Sequence, residues 1–186
     1  MQQSQAGRSA VLAPGGNYGT DGPLLMYAGL AVQRRAGHAH PITWQLSGGS
    51  DFSEQRRRVV SQVESAVDEV TGAAGAAPLV IGKSLGSLAA PLVADRGLAA
   101  VWFTPLLTDG PTVAALRRAT SPCLLVGGTA DQFWDGPLAR SLAADVVEID
   151  GADHGMFVPG RLAASAAVLG QVITAVEDFL DRVVWP

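Results

Sequence analysis

Leu79-Val80-Ile81-Gly82-Lys83-Ser84-Leu85-Gly86-Ser87-Leu88-Ala89-Ala90 is the stretch whose reading decides the fold. A short apolar run passes through Gly-x-Ser-x-Gly into a helix of small residues, the local context of a nucleophile elbow. A serine on so sharp a turn sits in a strained backbone conformation. Gly82 and Gly86 are expected there because side chains would strike neighbouring backbone. The Leu85 amide then lies at a helix N-terminus, where the dipole favours a negative oxygen. Two blander readings compete. A phosphate loop shares Gly82-Lys83-Ser84 but needs a glycine five residues earlier, where Ala77 stands, followed by Pro78 and a strand. A serine that only caps the following helix would also satisfy the pentapeptide.

On either side of this stretch, short apolar runs bounded by Gly or Pro alternate with longer segments of helical period. That alternation predicts a parallel sheet flanked by helices. Strands are expected at Ser9 to Ala13, Pro41 to Leu46, Pro78 to Ile81, Leu98 to Phe103, Pro122 to Val126 and Asp145 to Ile149. Helices are expected near Gly22 to Ala36, Ser53 to Thr71, Leu85 to Arg96, Pro111 to Ala119, Pro137 to Ala143 and Ala163 to Val183. In the second of these, Val59, Val60, Val63, Ala66, Val67 and Val70 form one apolar stripe. Arg56-Arg57-Arg58 reads as a solvated surface without a role. No repeat, linker or domain boundary is visible, so residues 1–186 are expected to form one domain.

Composition bounds the function. Of 186 residues, 48% are hydrophobic and 16% charged, which excludes a disordered polyelectrolyte. Thirteen Lys and Arg against 17 Asp and Glu give a net charge of -4, with no electrostatic footprint for nucleic acid or an anionic membrane. The single cysteine, Cys123, makes no intrachain disulfide. The polar start, Met1 to Ser9, lacks the pattern of a secretory signal, and no apolar run approaches the length of a membrane span. A cytoplasmic location, with neither nucleic acid nor membrane as partner, is the expectation.

A serine hydroxyl needs a histidine to take its proton and a carboxylate to fix the imidazole tautomer. His38 and His40 precede an expected strand and so stand at its N-terminal end. Chemistry in an open α/β sheet gathers at the opposite edge, and both are read as surface residues rather than a metal pair. His154 follows the last strand, in Asp150-Gly151-Ala152-Asp153-His154-Gly155, at the correct edge. Asp131, after Leu124-Leu125-Val126-Gly127-Gly128-Thr129-Ala130, is the preferred carboxylate. Asp135 and Asp109 each precede a Gly-Pro helix start and are better read as favouring a helix N-terminus. Asp150 and Asp153 lie too close to His154 in sequence to orient it from behind.

The loop Pro14-Gly15-Gly16-Asn17-Tyr18-Gly19 after the first strand should supply a second oxyanion donor, Gly16 before Asn17. It lacks the Gly-x-Gly-x-x-Gly spacing of a dinucleotide loop, and no acidic residue ends the second strand. The first and third strands are expected to be neighbours, with a ligand crevice at the switch point between them.

The order Gly82-Lys83-Ser84-Leu85-Gly86, Asp131, His154 resembles that of the α/β-hydrolase superfamily over nearly the whole chain. Within it the sequence looks most like the small uncapped dienelactone-hydrolase-like group that includes the testis-expressed and KANSL-type hydrolase domains. The resemblance implies a minimal fold of about six mostly parallel strands, helices on both faces and no lid domain. It also implies Ser84 as nucleophile, Asp131 as acid and His154 as base. True dienelactone hydrolases use cysteine as nucleophile, so their substrate is not carried over. The usual His-Gly before the oxyanion loop is here Pro14-Gly15, and the two strands that open larger members have no counterpart, so closure would fall on the edge strand at Pro41 to Leu46 or on a partner.

Only Thr104 to Gly110 separates Phe103 from Pro111, leaving no room for a lid. An open site suits short acyl chains or a group presented on a larger molecule. Phe133 and Met156, beside Asp131 and His154 in sequence, are the candidate substrate contacts. The expectation is a carboxylesterase or thioesterase acting on a small-molecule acyl substrate without cofactor or metal. The alternatives are a non-catalytic hydrolase-fold binding module and, on Gly15-Gly16 and Lys83, a nucleotide-binding module.

Overall fold

A computed structural model describes residues 7–45 and 51–186. Six strands form one sheet: β1 Ser9–Ala13, β2 His38–Pro41, β3 Leu79–Lys83, β4 Ala100–Phe103, β5 Cys123–Gly128 and β6 Asp145–Ile149. Their spatial order is β2-β1-β3-β4-β5-β6, and every pair is parallel. The order reverses between β1 and β3, so a crevice opens at their carboxyl ends.

Side chains alternate across the strands. Val11 and Ala13 join Val80, Trp102 and Leu125 on one face, and Ala10 and Leu12 join Ile81, Val101, Phe103 and Val126 on the other. The first face is covered by α2 Phe52–Ala74, α3 Ala90–Asp95, α4 Gly110–Arg118 and α5 Gly136–Leu142. The second is covered by α1 Pro23–Gln33 and α6 Leu162–Phe179. Because both faces are buried, the strands read as near-continuous apolar runs. In α2 the buried positions are Val59, Val63, Val67 and Val70, at spacings of three and four.

The structure corrects four expectations. β2 ends at Pro41 instead of beginning there, so His38 and His40 lie within it, opposite Ser9 and Val11 of β1. The strand begins early because His38 N–H donates to Arg8 O as soon as the turn after α1 closes. Beyond Ile42, whose N–H bonds Leu12 O, the chain leaves the sheet, and Trp44 Nε1 donates instead to Pro14 O. Leu46, the expected end of that strand, lies outside the described residues.

Arg56 is not a solvated side chain. Its guanidinium forks onto the Asp109 carboxylate, whose other task is to cap α4 by accepting from Thr112 N–H. The pair, with both side chains largely buried, ties α2 to the start of α4.

The α6 helix continues to Val184 through a wider turn, and this 23-residue segment is long and apolar enough, by composition, to cross a membrane. A helix of this length is expected from the sequence near Ala163 to Val183, but Ser165, Gln171, Thr174 and Glu177 interrupt its apolar run. Its buried positions Val168, Val172, Val176 and Phe179 recur at helical spacing and pack on the sheet. Finally, a Cβ at Gly82 would meet the Trp102 ring rather than backbone.

Candidate active site

β3 ends in Lys83, and the chain turns at once into a tight 3-10 segment, Ser84–Ala89, that runs on into α3. Ser84 takes a φ of 49°, the left-handed region that costs a side-chain-bearing residue energy. The turn closes only because position 86 is glycine: a Cβ there would stand 2.5 Å from Ala13 O. Ser87 fastens it by donating to Ser84 O at 2.6 Å and accepting from Leu106 N–H at 3.0 Å.

The loop after β5 carries Asp131 and the loop after β6 carries His154. The two loops touch through backbone: Thr129 N–H donates to Ile149 O and Ala130 N–H to Ala152 O. This approach needs Gly128, where a Cβ would stand 2.2 Å from Ala152 O. Asp153 shapes the second loop, its Oδ1 accepting from Gly155 and Phe157 N–H.

These turns bring Ser84, Asp131 and His154 together. His154 Nε2 is 2.7 Å from Ser84 Oγ, and its Nδ1 is 2.8 Å from Asp131 Oδ2. The Asp131 side chain is fully buried, and its Oδ1 accepts from Phe133 N–H. An ionised carboxylate can only accept, so Nδ1 carries the imidazole proton and Nε2 faces the hydroxyl as an acceptor. Ser84 and His154 are half-buried and lie at a cleft of about 340 Å³ lined by Gly15, Gly16, Asn17, Leu85 and Leu106 among others.

Gly15 N–H is spent on Tyr18 O, whereas Gly16 and Asn17 are exposed at the cleft. Leu85, in the first turn of its helix, has no preceding carbonyl for its amide. Phe133 stands edge-on to the His154 ring, centroids 5.0 Å apart, and does not line the cleft. Met156 is buried in the wall of a neighbouring apolar cavity. Asp135 caps α5 through Leu138 N–H. Among the described residues no cluster of His, Cys, Asp or Glu has the geometry of a metal site.

Sequence reasoning gave Tyr18 no role and Lys83 only a part in the nucleotide-binding alternative. Lys83 is buried and donates to His154 O at 3.0 Å and to Thr104 Oγ1 at 3.1 Å, with its Nζ over the Tyr18 ring. Burial pushes its pKa down to about 8, against the pull of Asp131 and Asp153. Its signal was a cation ending a strand whose other positions are apolar or glycine.

No family model matches the chain, and no curated protein matches it. Solved structures do. Est1E of Butyrivibrio proteoclasticus, described with ferulic acid bound, superposes with a TM-score of 0.71 at 13% identity, over 96% of this chain and 90% of that one. The Pyrococcus furiosus esterase Pf2001 gives 0.70 at 11% identity, over 97% and 85%. XC6422 of Xanthomonas campestris, described as an α/β serine hydrolase without lid, gives 0.66 at 12% identity, over 94% and 81%. Here too only residues 104–109 join β4 to α4. The parallel sheet, its strand order and these likenesses show that the chain has the α/β-hydrolase fold, in a form without a lid.

Proposed function

We propose that this protein is a serine hydrolase that cleaves an ester or thioester bond through an acyl-enzyme on Ser84. The observation that carries the reading is the unbroken hydrogen-bond chain from Asp131 Oδ2 through both His154 nitrogens to Ser84 Oγ. The fold likeness to esterases supports it. His154 Nε2 takes the hydroxyl proton as Oγ attacks the acyl carbon, and Asp131 stabilises the imidazolium formed. The negative oxygen of the tetrahedral intermediate faces the Leu85 amide and the amide of Gly16, with Asn17 as the alternative donor. His154 then protonates the departing alcohol or thiol. Water, deprotonated by the same nitrogen, releases the acid and restores Ser84.

Turnover of short nitrophenyl esters and of matching acyl thioesters tests the reading and separates the two leaving groups. Ser84→Ala should lower kcat by several powers of ten on whichever is cleaved. Turnover unchanged in that variant would refute it.

A further inference from the structure

Beside the cleft lies an apolar cavity of about 220 Å³, roofed by the first turns of α1 and α6 and walled by the His154 loop. Tyr18 and Gly155 line both spaces, so the cavity adjoins the Ser84 cleft. Its other walls include Leu24, Met156, Ala166 and Leu169. At its margin Phe157 is 54% and Leu162 79% exposed, apolar side chains left uncovered beside the site.

The polar groups of the wall have little to offer a polar ligand. Ser165 Oγ is committed to both N–H and O of Val158, and the Tyr18 oxygen accepts from Leu24 N–H. Among the described residues no Lys, Arg, Asp or Glu lines the cavity.

Resting on the serine hydrolase reading above, we infer that this cavity between α1 and α6 is a substrate subsite for an apolar alkyl or aryl group of the ester. At about 30 Å³ per group the size of a water, it has room for about seven such groups, or one aromatic ring with a short linker. Each methylene that enters should raise kcat/KM about fourfold until the cavity is full. The apolar group can belong to the acyl or to the alcohol half of the substrate, because both radiate from the carbon attacked by Ser84.

Two ester series locate it: nitrophenyl esters of straight-chain acids from acetate to dodecanoate, and acetates of straight-chain alcohols over the same range. The expected result is a rise in kcat/KM to a maximum near six to eight carbons in one series. A maximum among the acids assigns the cavity to the acyl chain, and one among the alcohols assigns it to the leaving group. Ala166→Phe, at an exposed helical position, fills the cavity, and the octanoyl-to-acetyl or octyl-to-ethyl preference should fall at least tenfold. Leu162→Gln, which only makes the margin polar, should lower the same ratio by a smaller factor and guards against misfolding of the first variant.

Flat profiles in both series, with acetate turnover and Ser84 labelling by an organofluorophosphonate intact, would overturn the subsite and leave the hydrolase reading standing. A chain-length maximum unmoved in both variants would also overturn it. Neither turnover nor labelling in the wild type would remove the two proposals together.

Discussion

Replacing Lys83 with methionine separates the stability of the fold from the positioning of His154. Methionine keeps the unbranched stem in its buried slot, one atom shorter, but removes both hydrogen bonds, leaving His154 O and the fully buried Thr104 hydroxyl without their donor. Hydrogen bonds to a charged group contribute roughly 1.5–3 kcal/mol each. Against this, a pKa lowered from 10.5 to about 8 marks a burial penalty of roughly 3 kcal/mol on the ammonium, which the variant escapes. The two effects largely offset, so the net loss at pH 7 should not exceed about 3 kcal/mol.

Activity has no such offset. Once untethered, the loop lets the imidazole drift from Ser84, and a displacement near 1 Å can cost about a hundredfold in rate. Ester kinetics should therefore show kcat down ten- to a hundredfold with KM little changed, beside a small shift in the urea midpoint.

The pH dependence of stability adds a second readout. Lys83 has a lower pKa folded than unfolded, so between about pH 8 and 10.5 the unfolded chain binds more protons. The wild type should gain up to roughly 3 kcal/mol over the variant across that window, a gain complete above 10.5 and absent below 8. Neutral lysine keeps two N–H donors, enough for both partners. A kcat within twofold of wild type, or a stability difference flat from pH 7.5 to 10, would refute this reasoning.

Asp131→Asn should lower kcat about ten-thousandfold with the fold intact, since an amide donating to Nδ1 would leave the proton on Nε2, the wrong tautomer for attack; ester turnover checks it. Asp109→Ala removes the α4 cap and the partner of Arg56 and should cost about 2–3 kcal/mol in denaturant unfolding. Burial works against the charge of Asp109, but the Arg56 and Thr112 hydrogen bonds outweigh it and hold its pKa below the usual carboxylate value. Its contribution is thus present above about pH 4 and lost as pH falls through the folded-state pKa, so the wild type's advantage over Asp109→Ala should shrink in acid. Cys123 is buried, its thiol pushed up to about 11 mainly by burial, with Asp145 adding to it; iodoacetamide at pH 8 should modify it only after unfolding. Gly86→Ala would drive a methyl into Ala13 O and should destabilise the fold by about 1–3 kcal/mol or more, read as a fall in Tm.

The sheet was legible because both its faces are covered. Runs such as Leu79-Val80-Ile81 and Leu124-Leu125-Val126 carry an uninterrupted apolar signal, and the structure places them in β3 and β5. The edge strand was misplaced because it lacks that signal. His38-Ala39-His40-Pro41 pairs on one side only, through backbone that any sequence can offer, while the more apolar Ile42 and Trp44 pack beyond its end.

The meeting of Ser84, Asp131 and His154 followed from strand ends at one sheet edge, a topological argument that needs no side-chain detail. Lys83 and Tyr18 were opaque for the converse reason. Their neighbours, His154 O and the Leu24 amide, come from remote or unmarked backbone, and backbone acceptors and donors leave no residue-type signature. Arg56 was misread because its partner lies 53 residues away, across a helix start that already accounted for Asp109.

Labelling with an organofluorophosphonate, followed by mass spectrometry of the digested protein, tests the central claim most directly. The account predicts one adduct, on the peptide carrying Ser84, formed quickly in the wild type, far more slowly in His154→Gln, and absent in Ser84→Ala. An unlabelled wild-type protein, or an adduct that persists in Ser84→Ala, would contradict it.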